Sequence, residues 1–381
     1  MRALVNARVA FPDRIVTDTA VLVADGCILD LIPVGELPPH AEREDLGGGL
    51  LAPGFIDIQV NGGGGVLFND APTVDTIARI GEAHRRFGTT GFLPTLISDE
   101  LDVVRAGVAA VDAAIDAGVP GVLGIHVEGP FLNRTRKGIH DPTRIRDLDE
   151  EGIKAVTALR RGRTLLTLAP ERTTPTTIRR LADAGVIIGA GHTDATYEEM
   201  MAAIDAGLSG CTHLFNAMSP LRSRAPGAVG AMLDNARVWC GLIADGQHVH
   251  PAAMRLALAA KGIDQLVLVT DAMPSVGHVK NFDLQGRAVI ARDGACFAAD
   301  ETLAGSDLDM AGAVRNARVM LAVGLHEAIL MASANPARLL GLEREVGGIV
   351  VGNRADLVLL DGSGTARRTW IGGEARDCLP A

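Results

Sequence analysis

The segment GFIDIQVNGG, residues 54–63, reads as a short strand that runs into a glycine-rich loop. Most of its residues before the loop are apolar, which is typical of a strand buried inside a protein. Asp57, Gln59 and Asn61 alternate along its end, so polar side chains are presented where the strand meets the loop. Functional residues commonly occupy the carboxyl ends of parallel strands. The segment therefore predicts a buried parallel strand at the edge of a site.

Further segments repeat this plan along the chain. Short apolar runs alternate with amphipathic helical stretches, as in repeated βα units around a parallel sheet. Eight such runs lie at 50–60, 90–98, 121–129, 164–171, 185–193, 210–217, 239–246 and 265–272. Eight βα units over roughly 250 residues fit a TIM barrel. We therefore predict an α/β fold with a (β/α)8-barrel hydrolase domain over residues 49–344.

The two ends of the chain differ from this barrel region. Residues 1–48 and 345–381 alternate polar and apolar positions and break at Gly, Asn and Asp, as antiparallel strands do. Neither end is long enough to bury a sheet face alone, so we predict one small β-sandwich domain built from both termini. After the eighth run we predict a hairpin that turns at Asp293 and Gly294, followed by a helix at roughly 307–323.

Composition narrows the class of protein. The chain has 381 residues, of which 48% are hydrophobic and 22% are charged, so it can bury a large core. A net charge of −10 argues against nucleic acid or an acidic membrane surface as a partner. The sequence has no apolar run of about 18 residues and no signal-peptide pattern. Five scattered cysteines without a CxxC motif predict reduced, buried thiols in a cytoplasmic protein.

Polar or ionisable side chains recur at the ends of the eight runs. In a barrel these ends converge on one face, where catalytic residues from several strands meet. The residues are Gln59, Thr95, Glu128, Glu171, His192, His213, Asp245 together with His248, and Asp271. By contrast, His40, His84 and His326 lie on helical or loop stretches, and we expect them to be plain surface residues.

Glu128, His192 and His213 come from three of these runs. One carboxylate and two imidazoles suit zinc or another divalent first-row metal and leave a position open for water. Each residue could instead be hydrogen-bonded near the core, but their common phase at strand ends favours a metal site. Asp271 ends the last run, where a carboxylate can act as general acid and base. Alternatively, the side chain of Asp271 could cap the following turn.

Two loops carry further candidates. The segment SPLRSRAPG places Arg222 and Arg224 in a Gly/Pro-rich loop, where a guanidinium suits a phosphate group. Solvated loop arginines are an equally good interpretation of the spacing alone. The basic segment NRTRKGIHDP, residues 133–142, contains His140 and could form a mobile flap.

Taken together, the motifs PGFIDIQVNG, HVEGPFLN, GHTDATYEE, THLFNAMSP, IADGQHVH, LVTDAMP and LAGS span nearly the whole chain. In them the sequence resembles the N-acetylglucosamine-6-phosphate deacetylases of the amidohydrolase superfamily. The resemblance implies Glu128, His192 and His213 as metal ligands, with Asp271 and His140 as catalytic residues. It also implies a homodimer whose partner chain could complete the phosphate pocket. The implied substrate contacts are Ile139, His140, Asn216, Ala217, Arg224, His248, Ala304, Gly305 and Ser306.

The opening segment departs from the wider superfamily. Most amidohydrolases carry His-x-His at the end of the first strand, which supplies a second metal site, whereas this chain has Gln59 and Asn61. Amides are poor ligands for transition metals. We therefore expect one divalent metal ion per chain, zinc in the first place, with Fe2+, Co2+ and Mn2+ as alternatives. Gln59 can still hydrogen-bond the water at that metal.

The resemblance implies hydrolysis of the N-acetyl group of N-acetylglucosamine 6-phosphate to glucosamine 6-phosphate and acetate. Three alternatives stay open. The substrate could be another N-acetylhexosamine phosphate, such as N-acetylgalactosamine 6-phosphate. The reaction could be that of another amide or ring hydrolase, because a fold does not determine chemistry. The chain could also be a non-catalytic scaffold, although the retained ligand set and Asp271 argue against it.

Overall fold

Eight parallel strands form the centre of the fold, which the computed structural model describes for residues 1–378. Their order in the sheet follows their order along the chain. We number them barrel strands 1 to 8, with bounds Phe55–Val60, Thr89–Ile97, Gly124–Glu128, Arg163–Leu168, Ile187–Ala190, Gly210–Cys211, Trp239–Ile243 and Leu266–Val269. The predicted TIM barrel is confirmed.

Barrel strands 1 and 8 close the barrel at a seam. The backbone N–H of Asp271 donates to the carbonyl of Gln59 at 3.0 Å, and that of Asn61 donates to Ala272 at 2.9 Å. Beneath these bonds the buried Asp57 accepts the hydroxyl of Thr270 at 2.5 Å. Burial outweighs the hydrogen bonds from Thr270 and Gln59 and raises the pKa of Asp57 to about 7. The seam therefore contains a carboxyl group whose charge depends on pH.

Ten α-helices are found within residues 1–378, most of them on the outside of the barrel. Several begin at a side chain that caps the first turn, such as Thr73, Asp149, Thr174 and Asp309. The helices are α1 Val74–Arg85, α2 Leu101–Asp116, α3 Glu150–Val156, α4 Pro175–Asp183, α5 Tyr197–Asp205, α6 Gly227–Asp234, α7 Pro251–Lys261, α8 Met310–Met320, α9 Leu325–Ala332 and α10 Ala334–Leu339. No helix among residues 1–378 is both long enough and apolar enough to cross a bilayer.

Both chain termini contribute to a pair of sheets beside the barrel, as predicted. In spatial order the first sheet contains Cys27–Pro33, Thr19–Ala24, Arg2–Val5 and Glu42–Asp45. The second contains Glu374–Asp377, Ala366–Ile371, Leu357–Leu360, Leu50–Pro53, Arg8–Ala10 and Ile15–Val16. Buried side chains of both sheets, including Leu4, Ile28, Leu51 and Trp370, form one hydrophobic cluster.

The run 50–60, which we predicted as one barrel strand, is two strands. Leu50–Pro53 pairs with Leu357–Leu360 in the terminal sheet, and barrel strand 1 begins only at Phe55. The chain passes between the sheets at Gly54, where a Cβ atom would lie 2.0 Å from Oγ1 of Thr90. Only glycine fits such a close approach. The predicted domain boundaries at 48/49 and 344/345 stay predictions, but the strand Leu50–Pro53 belongs to the terminal sheet and not to the barrel.

The segment after barrel strand 8 forms an antiparallel sheet of four strands, Asn281–Leu284, Arg287–Arg292, Ala295–Ala298 and Leu303–Ser306. The predicted turn is present, with φ of 50° at Asp293 and 84° at Gly294. Such a pair of left-handed residues matches the right-handed twist of a hairpin. The predicted helix at roughly 307–323 is α8.

Two expectations about single residues are wrong. His84 is not a surface residue: it lies on the inner face of α1, and its Nε2 is 2.9 Å from the carbonyl oxygen of Gly62. Its spacing of four and seven residues from the buried Ile80 and Ile77 had already placed it on that face. Burial lowers its pKa to about 4. Four cysteines are buried and free as expected, whereas Cys27 is exposed.

Candidate active site

The carboxyl ends of the barrel strands surround a cavity of about 200 Å³. Most of the candidate site residues predicted from the sequence line this cavity. A larger cavity of about 540 Å³, beside α1, contains none of them. The residues of the smaller cavity are Asn61, Ile97, Glu128, Gly138, Ile139, His140, His192, His213, Asn216, Ala217, His248, Asp271, Met273, Leu284, Thr302, Leu303, Ala304 and Gly305.

Glu128, His192 and His213 bring three ligand atoms together. Nε2 of His213 lies 2.8 Å from Oε1 of Glu128, and Nε2 of His192 lies 3.4 Å from the same oxygen. The two imidazole nitrogens are 3.1 Å apart. Tetrahedral zinc with ordinary bond lengths holds its donors about 3.3–3.4 Å apart. The three atoms are therefore close to the spacing that one divalent metal ion requires, and the set can bind one.

The surroundings of these residues favour their role as ligands. Nδ1 of His192 is 2.9 Å from the carbonyl oxygen of Arg136, which can only accept, so Nδ1 carries the proton and Nε2 keeps its lone pair. Oε2 of Glu128 accepts Nε2 of Gln59 at 3.0 Å. Burial acts to raise the pKa of Glu128, but the contacts of its carboxylate with the imidazoles of His192 and His213 outweigh burial and hold the pKa well below its usual range. Glu128 is therefore anionic at neutral pH, which suits a metal ligand.

His140 belongs to the same cluster but has the opposite hydrogen-bond pattern. Its ligand atoms and those of Glu128 and His192 lie within 4.8 Å of one another. However, the backbone N–H of Ser98 donates to Nδ1 of His140 at 3.2 Å, so Nδ1 is an acceptor. Burial, followed by the neighbouring imidazole of His192, lowers the pKa of His140 well below its usual range and keeps the ring neutral. Its one proton is then on Nε2, which suits a hydrogen-bond donor rather than a ligand.

Asp271 lies on the wall of the same cavity. Its Oδ1 accepts Nδ2 of Asn61 at 2.6 Å and Nε2 of Gln59 at 3.2 Å. Burial, and then the charge of Glu128, raise the pKa of Asp271 to about 6. A carboxylate in that range can both take and return a proton near neutral pH. The raised pKa and the position on the cavity wall favour an acid–base role for Asp271 over the alternative that it only caps a turn.

Three of these residues have an unusual backbone. His192, His213 and Asp271 have φ values of 47°, 35° and 53°. Left-handed backbone is uncommon for residues other than glycine and tends to cluster at functional sites. Each residue lies just beyond the end of a barrel strand, where the left-handed turn directs its side chain into the mouth of the barrel. Sequence alone carries no signal for this conformation.

The predicted substrate contacts divide into two groups. Those on the cavity wall are Ile139, His140, Asn216, Ala217, His248, Ala304 and Gly305. Among them, His248 is oriented by Asp245, whose Oδ2 lies 2.5 Å from its Nδ1.

Arg224 and Ser306 are not on the cavity wall. The hydroxyl of the buried Ser306 donates to the carbonyl of Thr270 at 2.5 Å, so it braces the chain after barrel strand 8. Arg224 is exposed in a neighbouring depression that also contains Arg136 and Arg222. Gln59 is not on the wall either, but its amide nitrogen donates hydrogen bonds to Glu128 and Asp271, which are on the wall. The predicted roles of Arg224 and Ser306 stay predictions.

Sequence reasoning missed two residues that orient the site. Asn61 was recognised only as a replaced ligand, yet its amide contacts Asp271. Ser98, at the end of the second run, orients His140. Two predicted strand-end residues have structural contacts instead: Thr95 accepts the backbone N–H of Val60 at 2.8 Å, and Glu171 bonds residues of the neighbouring loops.

A sequence model of the amidohydrolase family matches residues 50–376. The chain belongs to the amidohydrolase family. The resemblance predicted from the motifs is confirmed.

Individual proteins are similar over almost the whole length of this amidohydrolase. It is 42% identical to the N-acetylgalactosamine-6-phosphate deacetylase of Shewanella sp. (strain ANA-3), over 97% of this chain and 94% of that protein. The crystal structure of N-acetylglucosamine-6-phosphate deacetylase from Pasteurella multocida matches with a TM-score of 0.95 and 34% identity, over 99% of both chains. A mutant N-acetyl-D-glucosamine-6-phosphate deacetylase from Mycobacterium smegmatis, in complex with N-acetyl-D-glucosamine 6-phosphate, matches with a TM-score of 0.89 and 34% identity over 98% of both chains.

Proposed function

We propose that this amidohydrolase hydrolyses the N-acetyl group of N-acetylglucosamine 6-phosphate, giving glucosamine 6-phosphate and acetate. The observation that carries the proposal is the placement of Asp271 and His140 in one cavity with the ligand set of Glu128, His192 and His213. Solved deacetylases of that substrate class match nearly the whole chain, which supports the same chemistry. The reaction belongs to amino-sugar breakdown and recycling.

Glu128, His192 and His213 would hold one divalent metal ion, for which we propose zinc. Such an ion supplies Lewis-acid activation of a water molecule and of the acetyl carbonyl. A second ion is not expected because Gln59 and Asn61 are neutral amides whose nitrogens already donate to carboxylates. Fe2+, Co2+ and Mn2+ suit the same donor set.

Asp271 and His140 perform the proton transfers and charge stabilisation. Asp271 takes a proton from the attacking water as its oxygen bonds to the acetyl carbon. Nε2–H of His140 donates to the carbonyl oxygen as negative charge develops there. Asp271 then gives the proton to the sugar nitrogen as the C–N bond breaks, so that the amine leaves and acetate remains. The raised pKa of Asp271 suits both transfers.

The other end of the cavity would bind the sugar phosphate. Asn216, Ala217 and His248 lie on its wall at the ends of barrel strands 6 and 7. We propose that Arg224 contributes the guanidinium that binds the phosphate. Because Arg224 is outside this chain's own cavity wall, we propose that the enzyme is a homodimer in which the partner chain supplies it. A cytoplasmic location also stays a prediction.

A second substrate has a specific observation in its favour. The 42%-identical Shewanella relative is an N-acetylgalactosamine-6-phosphate deacetylase, and the two sugars differ in the orientation of one hydroxyl group. Acetate release from both sugar phosphates, measured on one metal-analysed preparation, tests the proposal. Preference for the glucosamine compound supports the first assignment, and preference for the galactosamine compound supports the second. Release from neither, by a preparation with bound metal, would refute the proposed function.

A further inference from the structure

The two oxygens of Asp271 have different surroundings. Oδ1 accepts two amide donors across the barrel seam, from Asn61 at 2.6 Å and from Gln59 at 3.2 Å. Oδ2 has no hydrogen-bond partner within residues 1–378, and the residue forms part of the cavity wall. One oxygen is therefore held by the protein, and the other is left for the substrate side.

We propose that Asn61 is a positioning residue for Asp271. It holds Oδ1, so that Oδ2 faces the cavity and is the oxygen that takes and returns the proton. This inference rests on the proposed function, in which Asp271 is the general acid and base. It also assigns a function to the amide at the position where most amidohydrolases carry the second histidine of His-x-His.

The surroundings of Asn61 argue against a purely structural role. Backbone bonds between Asp271 and Gln59 and between Asn61 and Ala272 already close the seam without any side chain. The Asn61 side chain is 1% exposed, and its Oδ1 has no hydrogen-bond partner among the described residues. A buried polar atom left unpaired is costly, so it calls for a functional explanation. Within residues 1–378, the one hydrogen bond made by the Asn61 side chain is that to Asp271.

The chemistry of an amide suits this task. Turning the amide round would place its oxygen 2.6 Å from a carboxylate oxygen, which is repulsive, so Nδ2 must face Asp271. A cationic side chain would form an ion pair and weaken Asp271 as a base, whereas a carboxylate would repel it. A neutral donor orients the carboxylate and leaves its negative charge uncompensated.

Kinetics of Asn61→Ala and of the isosteric Asn61→Asp test the inference. We expect kcat to fall about 10- to 100-fold, part of the effect of a whole acid–base residue, while KM stays within about threefold. The metal content of Asn61→Ala should not change, because that variant neither removes nor adds a ligand. Asn335→Ala is the matched control: Asn335 is also buried, but it donates to the carbonyls of Ile263 and Leu266 at the other end of barrel strand 8, so kcat should stay near wild type. Full kcat in Asn61→Ala would overturn the inference.

A double-mutant cycle separates positioning from a general defect. If Asn61 acts only through Asp271, then Asn61→Ala should cost less than about twofold when added to Asp271→Asn. Fully additive losses would show that Asn61 acts in another way.

A crystal structure of Asn61→Ala gives a readout that does not depend on the substrate. We expect the Asp271 carboxylate to rotate or to adopt more than one conformer, and an unchanged carboxylate would contradict the inference. Failure of the proposed function is a separate result, since it requires the wild-type enzyme to release acetate from neither sugar phosphate. In that case the crystal structure still decides whether Asn61 positions Asp271.

Discussion

Two carboxylates in one cavity have pKa values shifted in opposite directions. Contact with two imidazoles holds the pKa of Glu128 well below its usual range, whereas burial and the charge of Glu128 raise the pKa of Asp271 to about 6. Two acidic groups whose pKa values are driven apart commonly have different roles at an active site. Here the anionic Glu128 suits a metal ligand, and Asp271 suits a group that exchanges protons.

The assignment of Asp271 leads to the first prediction. Asp271→Asn should lower kcat by at least about 100-fold, because the amide cannot take a proton from water. Metal content and substrate affinity should persist, since the ligand set is untouched. Single-turnover kinetics with metal analysis would check both. Near wild-type turnover would mean that the general base lies elsewhere.

The second prediction concerns the metal ligands. Dialysed wild-type enzyme should retain about one divalent ion per chain, and Glu128→Gln should lose it, because an anionic ligand becomes a weak neutral one. Elemental analysis is the measurement. Glu171→Gln is a suitable control, since Glu171 also follows a barrel strand but bonds Asn133 and Thr193 outside the cavity. Two tightly held ions in the wild-type enzyme would contradict the single-metal proposal.

At the scale of single elements, the segment 133–142 contains His140 and also contacts His192. The carbonyl of Arg136 accepts from His192, and His140 follows only four residues later. Between them Gly138 has a φ of +55°, and a Cβ atom there would lie 3.3 Å from Cε1 of His192. The conformation of this segment therefore affects the proposed metal ligand His192 and the proposed hydrogen-bond donor His140 together.

Gly138→Ala tests this connection. The added methyl group should strain the left-handed backbone and displace His192, lowering both metal affinity and kcat by several-fold. Gly262→Ala is the matched control: Gly262 has a φ of +70° but no atom within 4 Å of its would-be Cβ. Because its ψ of 172° lies in a region that glycine alone readily adopts, this variant should lose about 1–3 kcal/mol of stability but keep its kinetics. Equal kinetic defects in both variants would indicate backbone strain alone.

The barrel seam should make stability depend on pH through Asp57. Its pKa is about 7 in the folded state against about 3.9 in an unfolded chain, so the folded state retains the proton between these values. The contribution of the protonated Asp57 carboxyl to the free energy of unfolding is complete below about pH 4 and is lost as the pH rises through 7. Asp57→Asn cannot ionise and should lack this component, which amounts to about 2–3 kcal/mol between pH 5 and 8. Denaturation midpoints of both proteins at both pH values measure it, and parallel pH profiles would contradict it.

At the scale of the whole molecule, the position of Arg224 raises the question of a partner chain. Arg224→Ala should lower kcat/KM for the phosphorylated sugar about 10- to 100-fold, through the loss of charge-assisted hydrogen bonds of about 1.5–3 kcal/mol each. Unphosphorylated N-acetylglucosamine should be little affected. A folding defect would depress activity on both sugars and also reduce metal content.

Subunit mixing tests whether Arg224 acts from the partner chain. In a dimer of one Arg224→Ala chain and one Asp271→Asn chain, a single site would have Asp271 from the first chain and Arg224 from the second. Random assortment should then restore about a quarter of wild-type activity, because about half of the dimers are mixed and each has one competent site. No recovery in demonstrably mixed dimers would mean that Arg224 does not act across the interface.

Periodicity and residue type determined much about this protein. Parallel strands place their carboxyl ends on one face, so eight phased runs predict the barrel and bring Glu128, His192, His213 and Asp271 to one mouth. The sequence also shows directly that Gln59 and Asn61 stand where most amidohydrolases have His-x-His. These features depend on spacing along the chain, which a sequence displays directly.

Only the tertiary structure decided the roles within the site. His140 and His192 are the same residue type, and they differ because Ser98 donates to one and Arg136 accepts from the other. The contact between Asn61 and Asp271 joins residues 210 positions apart. Likewise, the burial of His84, the strand break at Gly54 and the exposed position of Arg224 arise from packing between distant segments. Local sequence cannot display them, because each depends on which atoms the closed barrel brings within hydrogen-bond or van der Waals distance.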